Sequence, residues 1–184
     1  MTKKIGSIHG RFQPFHNGHL QYFNWAASRC DLVYIGITQI FNQHSGVFPG
    51  ADHRGLIENN PLTYFERAKI IETALLNDNV ASSQFRIIPF PIEEPFTLPN
   101  FLPPDVTCFT TIHSEWNEHK ITILRDIGYD VVVLDEDESN VERASGEKIR
   151  TEIRSGSDDW ENFVPLGTRI ALRETNLLNQ IKGK

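Results

Sequence analysis

Apolar residues come in two rhythms along this chain. Short runs of five to eight recur at residues 5–9, 31–38, 85–90, 106–111 and 130–134. Their length and β-branched content predict five buried strands. Between them the apolar residues fall at helical spacing. A helix is expected from near Gly18 through Leu20, Tyr22, Phe23, Trp25 and Ala26. A second starts after Thr63, where Glu66 three residues on completes a capping-box pattern, and buries Ala68, Ile70, Ile71, Ala74 and Leu75. A third spans 115–127 and stops at Gly128, a residue suited to the position after a helix. Three short helical stretches near Ser145, Asp158 and Gly167 finish the chain. Loops are expected over 41–61, over the proline-punctuated 89–104 and over the acidic 135–142.

Strands alternating with helices imply βαβ units, and hence a small doubly wound α/β fold with a parallel five-stranded sheet and C-terminal helices. Ligands in such folds sit beyond the carboxyl ends of the strands. That picks out Gly10–His19, Thr110–His113 and Ser145–Arg150.

Composition narrows the ligand. The 184 residues suit one domain, 1–184, with no appended module. Eighteen Lys plus Arg against 24 Asp plus Glu give a net charge of −6. A general polyanion binder is excluded, and neither nucleic acid nor membrane is expected as a partner. Any anionic ligand must be held by locally placed positive groups. Cys30 and Cys108 read as ordinary buried thiols. No signal peptide or apolar span is visible, which makes the cytoplasm the expected compartment.

The stretch after the first strand is Gly-Arg-Phe-Gln-Pro-Phe-His-Asn-Gly-His-Leu, Gly10 to Leu20. Two histidines at a helix start combine ring N–H donors with the positive end of the helix dipole, which favours phosphate. Gly18 lets a ligand approach the backbone, and Arg11 adds a permanent cation. A metal site is disfavoured because His16 and His19 lack an obvious third ligand. Near the C-terminus, Ser145 can cap a helix that carries Arg150 one turn in.

These eleven residues resemble the signature of the HxGH nucleotidyltransferases, and within them the archaeal-type nicotinamide mononucleotide (NMN) adenylyltransferases. The likeness runs on. Gly36-Ile37-Thr38-Gln39 resembles that family's Gly-Ser-Ala-Gln, and Asn60-Pro61-Leu62-Thr63 with Glu66-Arg67 its Asn-Pro-Phe-Thr and Glu-Arg. Ser145-Gly146-Glu147-Lys148-Ile149-Arg150 resembles its Ser-x-Thr-x-Ile-Arg. The resemblance implies a Rossmann-like HxGH nucleotidyltransferase fold and transfer of a nucleotidyl group from a triphosphate to a phosphorylated acceptor, most simply ATP plus NMN giving NAD. It implies catalytic roles for Arg11, His16, His19 and Arg150. It implies a nucleotide site lined by Gly10, Phe12, Gln13, Gly18, Gln39, Ser145, Gly146 and Ile149. It also implies Mg²⁺ carried with the triphosphate, no dedicated metal ligands, small-molecule substrates and a homo-oligomer.

Glu66 fits capping, Arg67 reads as a surface residue, and Trp25, Trp116 and Trp160 read as packing residues. Three departures stand out. Glu147 replaces the family threonine, Thr110-Thr111-Ile112 replaces Ser-Gly-Asn, and the loop after the third strand has Phe96 and Phe101 but no Trp. They leave open a transferase that uses CTP or another triphosphate on a phosphate or phosphonate, with His44, His53 and Arg54 as acceptor contacts. A non-catalytic nucleotide sensor also stays open.

Overall fold

A computed structural model describes residues 3–41, 56–112, 115–134 and 144–183. Five strands form one sheet: β1 (Ile5–Gly10), β2 (Leu32–Ile37), β3 (Phe85–Pro89), β4 (Thr107–Thr110) and β5 (Val131–Val133). Their order is β3-β2-β1-β4-β5, and every pairing is parallel. The direction of winding reverses between β1 and β4, which opens the crevice where doubly wound folds bind ligands.

Side-chain alternation along the strands makes two cores. Ile8, Val33, Ile35, Ile37 and Phe85 face one side, with α1 (Asn17–Ala27) and α2 (Tyr64–Asn77). Ile5, Tyr34, Ile88, Cys108 and Val131 face the other, with α3 (Glu115–Asp126). Burial on both faces is why the strands read as short apolar runs rather than as alternating ones. Helices α4 (Gly146–Ser155), α5 (Leu166–Glu174) and α6 (Leu177–Lys182) extend the first core, with Ile149, Ile153, Leu172 and Ile181 buried in it.

The five strands and three long helices lie where the sequence predicts them, within a residue or two. A 3-10 helix, Asp159–Phe163, lies at the stretch expected near Asp158, and α6 is one helix more than expected. Extended backbone at Thr175 separates α5 from α6, and the Thr175 hydroxyl donates to the Ala171 carbonyl. Such local side-chain bonds compete with helix propagation. A short 3-10 helix, Pro95–Asn100, interrupts the expected proline-rich loop. Trp160 is buried, and Trp25 and Trp116 pack at the core margins. Cys108 is buried, whereas Cys30 is half-buried. The acidic stretch 135–142, and His44, His53 and Arg54 of the long linker, lie outside the described residues. Among the described residues no helix is long and apolar enough to cross a membrane.

Candidate active site

The C-terminal ends of β1 and β2 bend back on themselves. Phe12 has φ 51° and Gln39 φ 49°, left-handed values unusual for bulky side chains and common where function holds the backbone. Arg67 supplies the hold. Its guanidinium is fully buried and donates to the carbonyls of Arg11 (2.9 Å), Thr38 (2.8 Å) and Gln39 (2.7 Å), and Nε donates to Thr63 O (3.2 Å). The expectation of a surface Arg67 is therefore wrong. A planar cation with five donors suits a cluster of carbonyls. Burial lowers its pKa to about 10, which leaves it charged at neutral pH.

Helix α1 starts one residue ahead of the expected Gly18, because His16 is its N-cap. The Nδ1 of His16 accepts the His19 N–H, and the Nδ1 of His19 accepts the His16 N–H, each at 3.3 Å. This is a capping box built from two imidazoles. The rings stack at 3.5 Å between centroids and 20° between planes. With both Nδ1 atoms accepting, each neutral ring carries its proton on Nε2, so two N–H donors are set side by side. Burial lowers the pKa of His16 to about 3. Burial, then His16, then Arg11 lower that of His19. Phe12 packs its ring edge-on to His19 at 4.8 Å and 70°, holding the pair from below.

The second motif docks on the first. Ser145 caps α4 and accepts from Lys148 N (3.1 Å). Gly146 sits so close that a Cβ would fall 2.8 Å from the Gln13 carbonyl. Arg150 is buried, and its Nη1 donates to that same carbonyl at 2.8 Å while Nη2 reaches Asn59 Oδ1 at 3.0 Å. Its Nε has no partner among the described residues. Arg150 thus straps α4 to the HxGH loop, which the sequence reading as a phosphate-holding residue did not include. Glu147, in place of the family threonine, is exposed, and its carboxylate acts electrostatically on Arg150.

The other expected residues divide in two. Gly10 ends β1, half-buried Arg11 follows it, and Gly18 lies against the His16 ring, all at the strand tips. Gln13 and Ile149 are turned inward. The Gln13 amide makes two bonds to the Leu62 backbone (2.9 and 3.0 Å), tying the HxGH loop to the Asn-Pro-Leu-Thr segment. Ile149 is fully buried in the core and anchors α4. Gln39 is buried, and its N–H donates to Glu93 Oε1 at 3.1 Å. The site therefore presents two helix N-termini, two oriented imidazole N–H groups and guanidinium charge at one edge of the sheet. That arrangement suits a polyphosphate.

Known proteins resemble this chain in sequence and in fold. A phosphonoformate cytidylyltransferase of Streptomyces viridochromogenes is 33% identical over 177 residues, covering 96% of this chain and 95% of its own. A nicotinamide-nucleotide adenylyltransferase of Thermococcus kodakarensis is 27% identical over 180 residues, 97% of this chain and 87% of its own. Among solved structures, a bifunctional NMN adenylyltransferase/ADP ribose pyrophosphatase from Francisella tularensis superimposes with a TM-score of 0.67 at 16% identity. The match covers 99% of this chain and 52% of that one, so the chain spans about half of the bifunctional protein. The sequence pattern of the cytidylyltransferase-like family matches residues 8–155. With that match running from the end of β1 through α4, over both signature loops, the chain belongs to the cytidylyltransferase-like family of nucleotidyltransferases.

Proposed function

We propose that the enzyme transfers a cytidylyl group from CTP to a small phosphonate or phosphate, releasing pyrophosphate. The observation that carries this is the 33% identity with the Streptomyces cytidylyltransferase along nearly the full length of both chains. The motif resemblance by itself favours ATP and NMN. That second reading rests on the archaeal adenylyltransferases, one of them 27% identical over 97% of this chain. Relatives that are themselves named as transferases stand against the sensor alternative.

The chemistry follows from the groups at the sheet edge. An acceptor oxyanion attacks the α-phosphorus in line, the bond to the β-phosphate bridging oxygen breaks, and pyrophosphate leaves with the electron pair. The acceptor is already anionic near neutral pH, so no general base is required. Positioning and charge stabilisation do the catalysis. The paired Nε2–H groups of His16 and His19 donate to phosphoryl oxygens as charge builds. The N-termini of α1 and α4 receive the phosphates, Arg11 supplies charge, and Arg150 holds the two loops in register on the leaving-group side. Mg²⁺ held by the triphosphate itself would add charge neutralisation at the phosphates, since among the described residues no cluster of His, Cys, Asp or Glu could hold the ion.

The test is pyrophosphate release by the purified protein with CTP or ATP, each paired with phosphonoformate or NMN. Release with CTP and phosphonoformate is the expected result. Release only with ATP and NMN would move the assignment to the second reading.

A further inference from the structure

At this edge the phosphate machinery makes no use of one buried imidazole. His9 precedes Gly10 on β1, and its side chain falls on the α3 side of the sheet, opposite Ile8. It is 4% exposed, and neither ring nitrogen has a partner among the described residues. On the same face Ile5, Ile88, Cys108 and Val131 are apolar, and the hydroxyl of Ser7 donates to the Cys108 sulfur. A leucine would fill such a place without the cost of about 1–3 kcal/mol that an unpaired buried polar group carries.

The surroundings are closely packed on the β2 side. Phe90 stacks on the imidazole at 4.5 Å with planes 11° apart. The same Phe90 lies over Gly36, where a Cβ would come within 2.5 Å of its ring. Gly36 is the register partner of His9 on β2. On the other side, the Ser7–Cys108 pairing carries the register forward to Thr110, the last residue of β4. Lys120 of α3, itself buried, is the charged group that acts on the ring. Burial first and the Lys120 ammonium second hold His9 far below its ordinary pKa, so the ring is neutral and offers one donor and one acceptor.

We propose that His9 and Lys120 form the acceptor head-group pocket and select a compact phosphonate or phosphate that carries a second acidic group. The inference rests on the nucleotidyl-transfer reading above and deepens it. A neutral imidazole N–H in the field of a buried ammonium suits a carboxylate, since bonds to an ionised group are shorter and stronger than neutral ones. The Phe90 ring lies face-on to His9 and over Gly36, which closes the space above β2 to a second ring system. The histidine pair lies on the α1 side of the strand tips and His9 on the α3 side. Triphosphate and acceptor therefore meet across the tips, as in-line displacement needs.

His9→Leu and His9→Gln test this in CTP-dependent assays with phosphonoformate and with methylphosphonate, which lacks the carboxylate. His9→Leu is expected to raise the phosphonoformate KM about 10- to 100-fold, the equivalent of one bond to a charged group. The CTP KM should stay within about twofold and the preference over methylphosphonate should collapse, at that same one-bond scale. His9→Gln, which keeps a donor and an acceptor, should recover part of the loss. The Tm of His9→Leu should hold or rise. A lowered Tm with both KM values raised together would overturn the proposal in favour of a packing role, as would an unchanged phosphonoformate KM. Wild-type turnover confined to NMN would overturn the compact-acid assignment and leave nucleotidyl transfer standing. No turnover with any pair would instead sink the transferase reading itself.

Discussion

His16 and His19 each protect the other's Nδ1 with a backbone N–H, and this reciprocity gives the motif its chemistry. An imidazole free to flip or to protonate would offer a mixture of tautomers. Here both rings are committed to Nε2–H before a substrate arrives, which is electrostatic preorganisation in the plain sense. Replacing His19 removes one oriented donor and also the ring that stacks on His16. His19→Ala should therefore lower kcat about 10²–10³-fold, the usual consequence of losing a transition-state donor. The KM for triphosphate should change less, because the helix N-termini remain. Steady-state kinetics beside a circular-dichroism spectrum of the folded variant settle this, and an unchanged kcat would remove His19 from the mechanism. The two histidines were legible in the sequence as a pair at a helix start; their mutual capping was not. The buried arginines were legible only as charges. Arg67 finds three of its four carbonyls 28, 29 and 56 residues away along the chain, and Arg150 finds Gln13 across 137. No local pattern encodes a partner at that distance, so a surface assignment for Arg67 was the natural error.

At the scale of elements, strands and helices were legible because two-sided burial writes them as short apolar runs and amphipathic stretches. Their docking was less so. Helix α4 shows the difference. Its cap was visible as Ser145 followed by a helical pattern, whereas its seat on the HxGH loop depends on Gly146 having no side chain. The two residues predict separable behaviour. Ser145→Ala removes one capping bond and should cost about 1 kcal/mol of stability. Gly146→Ala places a methyl 2.8 Å from the Gln13 carbonyl and 3.1 Å from Arg150 Nη1. The first turn of α4 must then lift away from the loop, and its N–H groups move off the phosphates. The KM for triphosphate should rise about tenfold or more, equivalent to at least 1.4 kcal/mol of binding. Isothermal titration with a non-hydrolysable CTP analogue measures it directly. Unchanged affinity would show that the α4 N-terminus lies outside the triphosphate site.

For the whole molecule, a net charge of −6 and an anionic substrate are reconciled by placement. Helix N-termini and Arg11 gather at the strand tips around the switch between β1 and β4, while His9, His16 and His19 add donors without adding charge. Keeping three histidines neutral has a consequence for folding. Each has a folded pKa below the ordinary 6.5, His16 at about 3. Below pH 6.5 the unfolded chain binds protons that the folded chain refuses. Stability is then full above pH 6.5 and falls as the pH drops towards each folded value, for His16 down to about 3. Each histidine contributes about 1.4 kcal/mol per pH unit inside its window, and the three together about 4 kcal/mol per unit once the pH is well under 6.5. Urea unfolding followed at pH 7.5, 6 and 5 should show that decline beginning near 6.5. His9→Leu removes one of the three protons from the balance and should flatten the slope by about a third. A wild-type profile level down to pH 5 would mean that these rings protonate within the folded protein, and the neutral Nε2–H donors assigned to the active site would have to be replaced by imidazolium ones.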